Sequence, residues 1–228
     1  MYKVFIGYDS NIPKLSYTAA ESLLDHSSVP LSITFLNQKN IPEYNRPRGE
    51  YDSTEFSNSR FMTPYLSRFE GWSLFMDNDI ICQSDIAELF SLTDSKYSVM
   101  CCKHNYEPAA EKKFLGYEQT KYSCKNWSSV ILFNNSVCTN LLPDYVNTAP
   151  GLDLHQFKWT SRHRIGSLPL EWNYLVDTDN QTMYPPKMIH YTNGGPYYDE
   201  TMDCEYADEW NNVARRLDYD VRKYSTRL

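Results

Sequence analysis

The apolar run Trp72-Ser-Leu-Phe-Met76 breaks directly into Asp77-Asn78-Asp79, and this junction narrows the choice of fold more than any other stretch. A buried strand has to end there. Side chains at i and i+2 of an extended segment point the same way, so Asp77 and Asp79 emerge together while Asn78 faces away. Two carboxylates at a strand end suit a hard divalent cation such as Mn²⁺ or Mg²⁺, which takes oxygen ligands and keeps positions open for phosphate oxygens. The competing reading is an acidic turn, because the same spacing recurs at Asp177/Asp179 and Asp218/Asp220. Those copies lie in polar stretches without an apolar strand ahead of them. Only the copy at Asp77 also has a helix start behind it: Asp85, with Glu88 three residues on, reads as the N-cap of a helix whose apolar face is Ile86, Leu89 and Phe90.

The segments before the motif alternate. Tyr2 to Tyr8 reads as a strand, Pro13 to His26 as a helix with Leu15, Ala19 and Leu23 on one face, and Leu31 to Leu36 as a second strand. Asn37 to Ser53 is a polar loop. Ser57 to Phe69 reads as a helix carrying Arg60 and Arg68. This is the β-α-β alternation of an α/β sheet, in which ligands sit at the carboxyl ends of the strands. Asp9 and Asp77 both fall at such ends and can converge. Beyond Phe90 the pattern is mixed: strands at Tyr97–Cys102 and Trp127–Phe133, a helix or loop over Glu107–Tyr117, a helix over Ser136–Val146, a turn-rich Gly151–Trp172, and a short strand Lys187–His190 running into the turn Asn193-Gly194-Gly195-Pro196. Asp203 to Leu217 reads as a final helix. With no repeat or linker, the reading is one domain over 1–228: a nucleotide-binding half (1–95), an acceptor half (96–200) and a C-terminal helix and tail (201–228).

Composition excludes several classes. A net charge of −7 over 228 residues argues against nucleic acid as the main partner. The basic residues Arg215, Arg216, Arg222, Lys223 and Arg227 are interrupted by Asp218 and Asp220 and read as a solvated helix face and tail. The six cysteines have no CxxC spacing, and Cys82, Cys101 and Cys102 lie in apolar runs as small core residues. The chain opens on a strand rather than a signal peptide, and no stretch reaches the ~18 apolar residues that span a bilayer. The expectation is a cytoplasmic protein in which the sequons at Asn126, Asn134 and Asn180 are accidental. The 19 Tyr and 5 Trp suit sugar rings and ordinary cores alike.

The ordered set of Asp9, Arg60, Met-Asp-Asn-Asp-Ile80 and Ile-His-Tyr-Thr-Asn-Gly-Gly-Pro196 resembles the GT-A glycosyltransferases, nearest to glycosyltransferase family 8, the glycogenin and lipopolysaccharide galactosyltransferase group. The resemblance spans Val4 to about Tyr198. It implies a GT-A type α/β fold with a mixed central sheet flanked by helices, and Mn²⁺ (or Mg²⁺) held by Asp77, Asp79 and His190. It also implies a nucleotide-sugar donor, UDP-linked, whose sugar passes to a glycan or other hydroxyl acceptor with retention. Tyr8 and Asp9 would hold the nucleoside, and Arg60 would bridge a motif carboxylate and the sugar or phosphate. Asn78, Asn126, Gly194 and Gly195 complete the donor site, and Asp153, His155 and Gln156 are the counterparts of the catalytic pair. Ile165-Gly-Ser-Leu-Pro169 through Glu171-Trp-Asn173 resembles the family's Leu-Pro…Asn stretch, which helps form the acceptor-side wall. The family's phosphate-neutralising lysine has no counterpart after Gly195, so Lys187 or the N–H groups around Gly194 would take its place.

Each residue also has a plainer reading. Asp9 can cap the following helix as well as bind a ribose, Tyr8 can be an ordinary strand-end tyrosine, and His190 a core or loop histidine. Other functions fit parts of the pattern: a haloacid dehalogenase-type phosphatase using Asp77-x-Asp79, a nucleotidyltransferase, or a non-catalytic nucleotide-sugar-binding protein.

Overall fold

The computed structural model describes residues 1–49, 52–105, 124–178 and 182–218. Among these residues, nine strands form two sheets. β1 (Tyr2–Gly7), β2 (Leu31–Leu36), β3 (Trp72–Met76), β5 (Val99–Cys102), β6 (Val130–Asn134) and β7 (Ile165–Leu168) make a six-stranded sheet in the order β2-β1-β3-β6-β5-β7. β4 (Ile80–Cys82), β8 (Tyr174–Leu175) and β9 (Met188–His190) make a smaller sheet in the order β4-β9-β8. β1 is parallel to both β2 and β3, whereas β6 runs antiparallel to β3 and β5. The fold is therefore α/β with a mixed central sheet, as the sequence leads one to expect.

Both faces of the large sheet are covered, and side-chain alternation divides them. Val4, Ile6, Leu74, Met76, Val130 and Leu132 enter one core, against Ala19 and Leu23 of α1 (Pro13–His26) and Ile86 and Leu89 of α3 (Ile86–Ser91). Phe5, Phe75, Ile131 and Phe133 enter the other, with Phe56, Phe61, Leu154 and Trp159. A strand sandwiched this way must be apolar throughout, which is why the motif strand reads as an unbroken run. A third cluster, Leu15, Ile81, Ile189, Tyr191 and Trp210, lies between the small sheet, α1 and α6 (Ala207–Leu217).

After β1 the chain moves through α1 to β2 on one side, then returns to place β3 on the other. The order reverses between β1 and β3, where the register sets Ile6 beside Met76. Their carboxyl ends therefore open into one crevice, the usual ligand position in such sheets. Asp9 and Asp77 sit at its two lips.

Several elements differ from the sequence reading. The helix expected over Ser57–Phe69 is a 3₁₀ turn (Ser59–Met62) and a short α2 (Thr63–Leu66), ended by Arg68 and Phe69 at positive φ. Arg60 causes part of this, because its side chain turns inward and donates to the Ser57 carbonyl instead of lying on a helix surface. The helix expected over Ser136–Val146 is a 3₁₀ turn (Asn135–Val137) and α4 (Pro143–Thr148), because Pro143 opens a helix readily but cannot continue one. α6 starts at Ala207, after Tyr206 at φ 58°, four residues later than expected from Asp203. The turn-rich segment contains α5 (Gly151–His155), β7 and, just beyond it, β8. Asp85 does cap α3, accepting from Ala87 N at 2.9 Å, but Glu88 leaves the cap to pair with Lys187. Arg216 is not simply solvated: it pairs with Asp25 on α1. Glu107–Tyr117, Asn180 and the tail beyond Asp218 lie outside the described residues.

Gly7 closes β1 under the Phe56 ring, where a Cβ would stand 2.4 Å from ring carbon. Gly7→Ala is expected to destabilise the protein by about 1–3 kcal/mol, lowering the melting temperature by roughly 2–4 °C per kcal/mol. An unchanged melt in a thermal denaturation series would show that the ring can yield.

Candidate active site

The acidic motif is the turn that joins the two sheets. Asp77 N–H donates to Ser129 O at 2.9 Å on the β6 side, and Asp79 O accepts from Tyr191 N at 3.0 Å on the β9 side. β4 then pairs antiparallel with β9, setting Ile80 opposite His190. Backbone bonds thus hold both ends of the turn, and the distant His190 is fixed next to Asp79 by strand register. The carboxylates of Asp77 and Asp79 and a ring nitrogen of His190 lie within 4.8 Å of one another. His190 Nε2 is 3.4 Å from Asp79 Oδ1.

Arg60 lies under this turn with a side chain only 6% exposed, and its Nη1 is 2.7 Å from Asp77 Oδ1. The guanidinium also donates to Ser57 O at 2.9 Å and Ser128 O at 2.6 Å, and it packs on the Phe56 and Phe75 rings. A planar fork with five donors meets these demands together where an ammonium would not.

Asn173 sets the orientation of His190. Its Nδ2 donates to Asn126 O at 3.1 Å and to Ser129 Oγ at 2.9 Å, so its Oδ1 is the atom left for His190 Nδ1, 2.9 Å away. The Nδ1–H of His190 donates to that oxygen, which leaves Nε2 as the ring atom facing Asp79. Two carboxylates and an imidazole lone pair, the latter held by a second residue, form a donor set that fits a divalent cation.

No protein-family model matches the chain. Protein CDI of Arabidopsis thaliana is 41% identical over 233 residues, which span 97% of this chain and 89% of that protein. The chain belongs to the CDI family. Among solved structures, the bifunctional glycosyltransferase WbbM superposes with a TM-score of 0.67 at 17% identity over 93% of this chain. GlyE of Streptococcus pneumoniae gives 0.63 at 18% identity over 93%. The galactosyltransferase LgtC, solved with donor and acceptor sugar analogues, gives 0.63 at 11% identity over 99% of this chain and 100% of its own. The chain spans 49% of the length of WbbM and 60% of that of GlyE. At these identities the likeness establishes the fold of this CDI-family chain, which is GT-A.

The remaining expected site residues separate into two groups. Asn126 is held in the network through its carbonyl, at φ 62°. His155 Nδ1 is 2.7 Å from Ser128 Oγ, on the residue whose carbonyl Arg60 binds, which connects α5 to the cluster. Asp153 is instead engaged by Lys158 at 2.5 Å, and Gln156 N–H closes α5 on Leu152 O. Asp9 organises a turn: Oδ1 accepts from Asn11 N and Nδ2, and Oδ2 accepts from Glu55 N. Tyr8 lies beside Tyr17 and Phe35. Gly194 adopts φ 105°, a conformation that favours glycine, and with Gly195 forms the turn after His190. Asn78 is buried under the motif.

Two expectations are corrected. Lys187 cannot stand in for the missing lysine, because its Nζ is held by Glu88 over the Trp172 ring. Asn173 is completely buried beneath His190 and does not wall an acceptor space.

Two contributors escaped the sequence reading. Tyr198 follows the glycine turn, and its phenol is pushed up by burial and by the nearby carboxylates of Asp79 and Asp9, which places it at the crevice between them. His104, just past β5, is buried. Burial and the neighbouring His190 lower its pKa to about 4, against a hydrogen bond with the Asn173 main chain that raises it. A histidine beyond a strand end was the available signal, but its surroundings come from residues distant in sequence.

The sign of the His104 effect is fixed. A folded pKa below the unfolded value of 6.5 means that the unfolded chain binds the proton more readily. Stability is complete above pH ~6.5 and falls as pH drops toward about 4. Between pH ~6.5 and ~5 this amounts to about 2 kcal/mol. Thermal melts of wild type and His104→Gln at the two pH values should show that much more acid sensitivity in the wild type. Equal sensitivity in both proteins would remove His104 from the account.

Proposed function

We propose that this CDI-family protein is a metal-dependent glycosyltransferase. It takes a sugar from a nucleoside diphosphate donor, UDP-linked, and passes it to a hydroxyl of a glycan or other acceptor with retention. The observation that carries this reading is the Asp77–Asp79–His190 cluster at the switch point of a GT-A sheet. Grouping with glycosyltransferase family 8 is supported by the order of Asp9, Arg60, the acidic motif and the His190 glycine turn. Residues 1–95 would form the donor half and 96–200 the acceptor half, with 201–228 as a C-terminal helix and tail. No helix among the described residues is long and apolar enough to cross a membrane. A cytoplasmic location is part of the same proposal.

When bound by Asp77, Asp79 and His190, Mn²⁺ or Mg²⁺ supplies Lewis-acid stabilisation to a departing diphosphate. The chain's own groups prepare for that. Arg60 fixes Asp77 in place, its Nη1 2.7 Å from Asp77 Oδ1. Asn173 holds His190 in the tautomer that offers Nε2. The N–H groups around Gly194 and the Tyr198 phenol supply neutral donors where the family's lysine is missing. His155, whose Nδ1 is 2.7 Å from Ser128 Oγ, would serve the acceptor side. The haloacid dehalogenase alternative needs its first aspartate as a free nucleophile, whereas Asp77 is clamped by Arg60.

Asp79→Asn is the cleaner test variant, since Asp77→Ala would leave the buried Arg60 charge uncompensated. UDP or a UDP-sugar at a hundredfold excess over Kd should stabilise the wild type by about 2.7 kcal/mol, and only with Mn²⁺ or Mg²⁺ present. Asp79→Asn and His190→Ala should lose that shift while still folding, and their sugar transfer should fall by more than about a hundredfold. A wild type indifferent to every nucleotide sugar, with and without metal, would sink the reading.

A further inference from the structure

Native proteins rarely bury a polar side-chain atom without a partner, and those that do often hold it for a ligand. Two such atoms flank Asn173, the residue that orients His190. Asn126 Nδ2 and His104 Nε2 are both buried and have no hydrogen-bond partner among the described residues. The main chain is held at both residues. Asn126 O accepts from Ser129 Oγ and Asn173 Nδ2, and the His104 carbonyl accepts from Trp127 Nε1 at 2.9 Å.

The polarity of the two atoms differs. The His104 ring hydrogen-bonds the Asn173 main chain, and because Nε2 is unpartnered that bond belongs to Nδ1, which donates to the carbonyl. Nε2 of the neutral ring is then an acceptor. Asn126 Nδ2 can only donate. A phosphate oxygen would be repelled by the lone pair on Nε2, and an ammonium would find no acceptor on Nδ2. A hydroxyl satisfies both, since it donates and accepts.

We propose that His104 Nε2 and Asn126 Nδ2 are an acceptor–donor pair that reads hydroxyl groups of the transferred sugar, making His104 a specificity-determining residue. This rests on the nucleotide-sugar reading above. The donor sugar is the source because both residues bond to Asn173, Asn126 through its main-chain carbonyl and His104 through its ring, and Asn173 backs the metal-facing His190. Both atoms are shielded from water, so a sugar whose hydroxyl is absent or inverted leaves them unpaired, a mismatch that binding sites reject strongly.

Isothermal titration with Mn²⁺ can separate sugar from nucleotide, using UDP, UDP-glucose and UDP-galactose as probes. His104→Leu should bind UDP as wild type does and lose about tenfold or more in affinity for the UDP-hexose that the wild type prefers over UDP. His104→Gln, which keeps an acceptor oxygen, should recover part of the loss. Asn126→Gly, which tolerates the φ of 62° there, should show a similar loss and serves if His104→Leu does not fold. The proposal is overturned if both variants keep the wild-type preference for UDP-hexose over UDP. It is also overturned if wild type binds UDP without gaining from either hexose, or if binding is unchanged and only transfer falls, which would put His104 on the acceptor side. A wild type that binds neither UDP nor UDP-hexose overturns the nucleotide-sugar reading, and this proposal with it.

Discussion

Arg60 lies almost wholly inside the protein, its guanidinium shared among the Asp77 carboxylate and the carbonyls of Ser57 and Ser128. The acidic turn depends on it. Two carboxylates on adjacent same-side positions repel, and at the end of a buried strand water screens them only in part. Asp77 is the more enclosed of the two, with a side chain 17% exposed against 24% for Asp79. A fixed cation beneath Asp77 removes much of the repulsion. Removing one member of such a buried pair typically costs about 3–5 kcal/mol, because the other is left charged and dry. The same interaction explains why Ser57–Phe69 does not form the helix its sequence suggests. The backbone there follows the inward path of the guanidinium.

From that anchor the geometry of the cluster extends through main-chain bonds. The turn is tied to β6 on one side and to the end of β9 on the other, so the two sheets hold it jointly. A binding constellation built on strand ends is positioned more tightly than one built on loops. Asn173 adds the final constraint, since the bonds of its amide nitrogen decide which ring nitrogen of His190 is offered. Ordering before ligand arrives lowers the entropy lost on binding. Neither carboxylate has to be gathered from a mobile segment.

Much of the first half was legible in sequence because its elements are regular. α1 and β2 match their expected bounds, β1 and β3 match closely, and β9 is there to within a residue. Period-2 burial on both faces and a proline-started amphipathic helix leave strong local marks. β4 was not legible: three apolar residues behind an acidic turn look like the lead-in to α3, and only pairing with β9 makes them a strand. α5, β7 and β8 are short for the same reason, drawing their stability from packing rather than propensity.

By itself the sequence determined that two carboxylates leave a buried strand together, that a β-α-β unit precedes them, and that a histidine stands between a strand and a glycine turn. Alternation and turn chemistry are local, so a linear reading captures them. Only the tertiary structure decided the partners: Arg60 under Asp77, Asn173 behind His190, Lys187 withdrawn to Glu88, and the nitrogens of His104 and Asn126 that no described residue pairs. A polar side chain's role depends on which donors and acceptors remain once water has been excluded. That is settled only when segments far apart in the chain close around it.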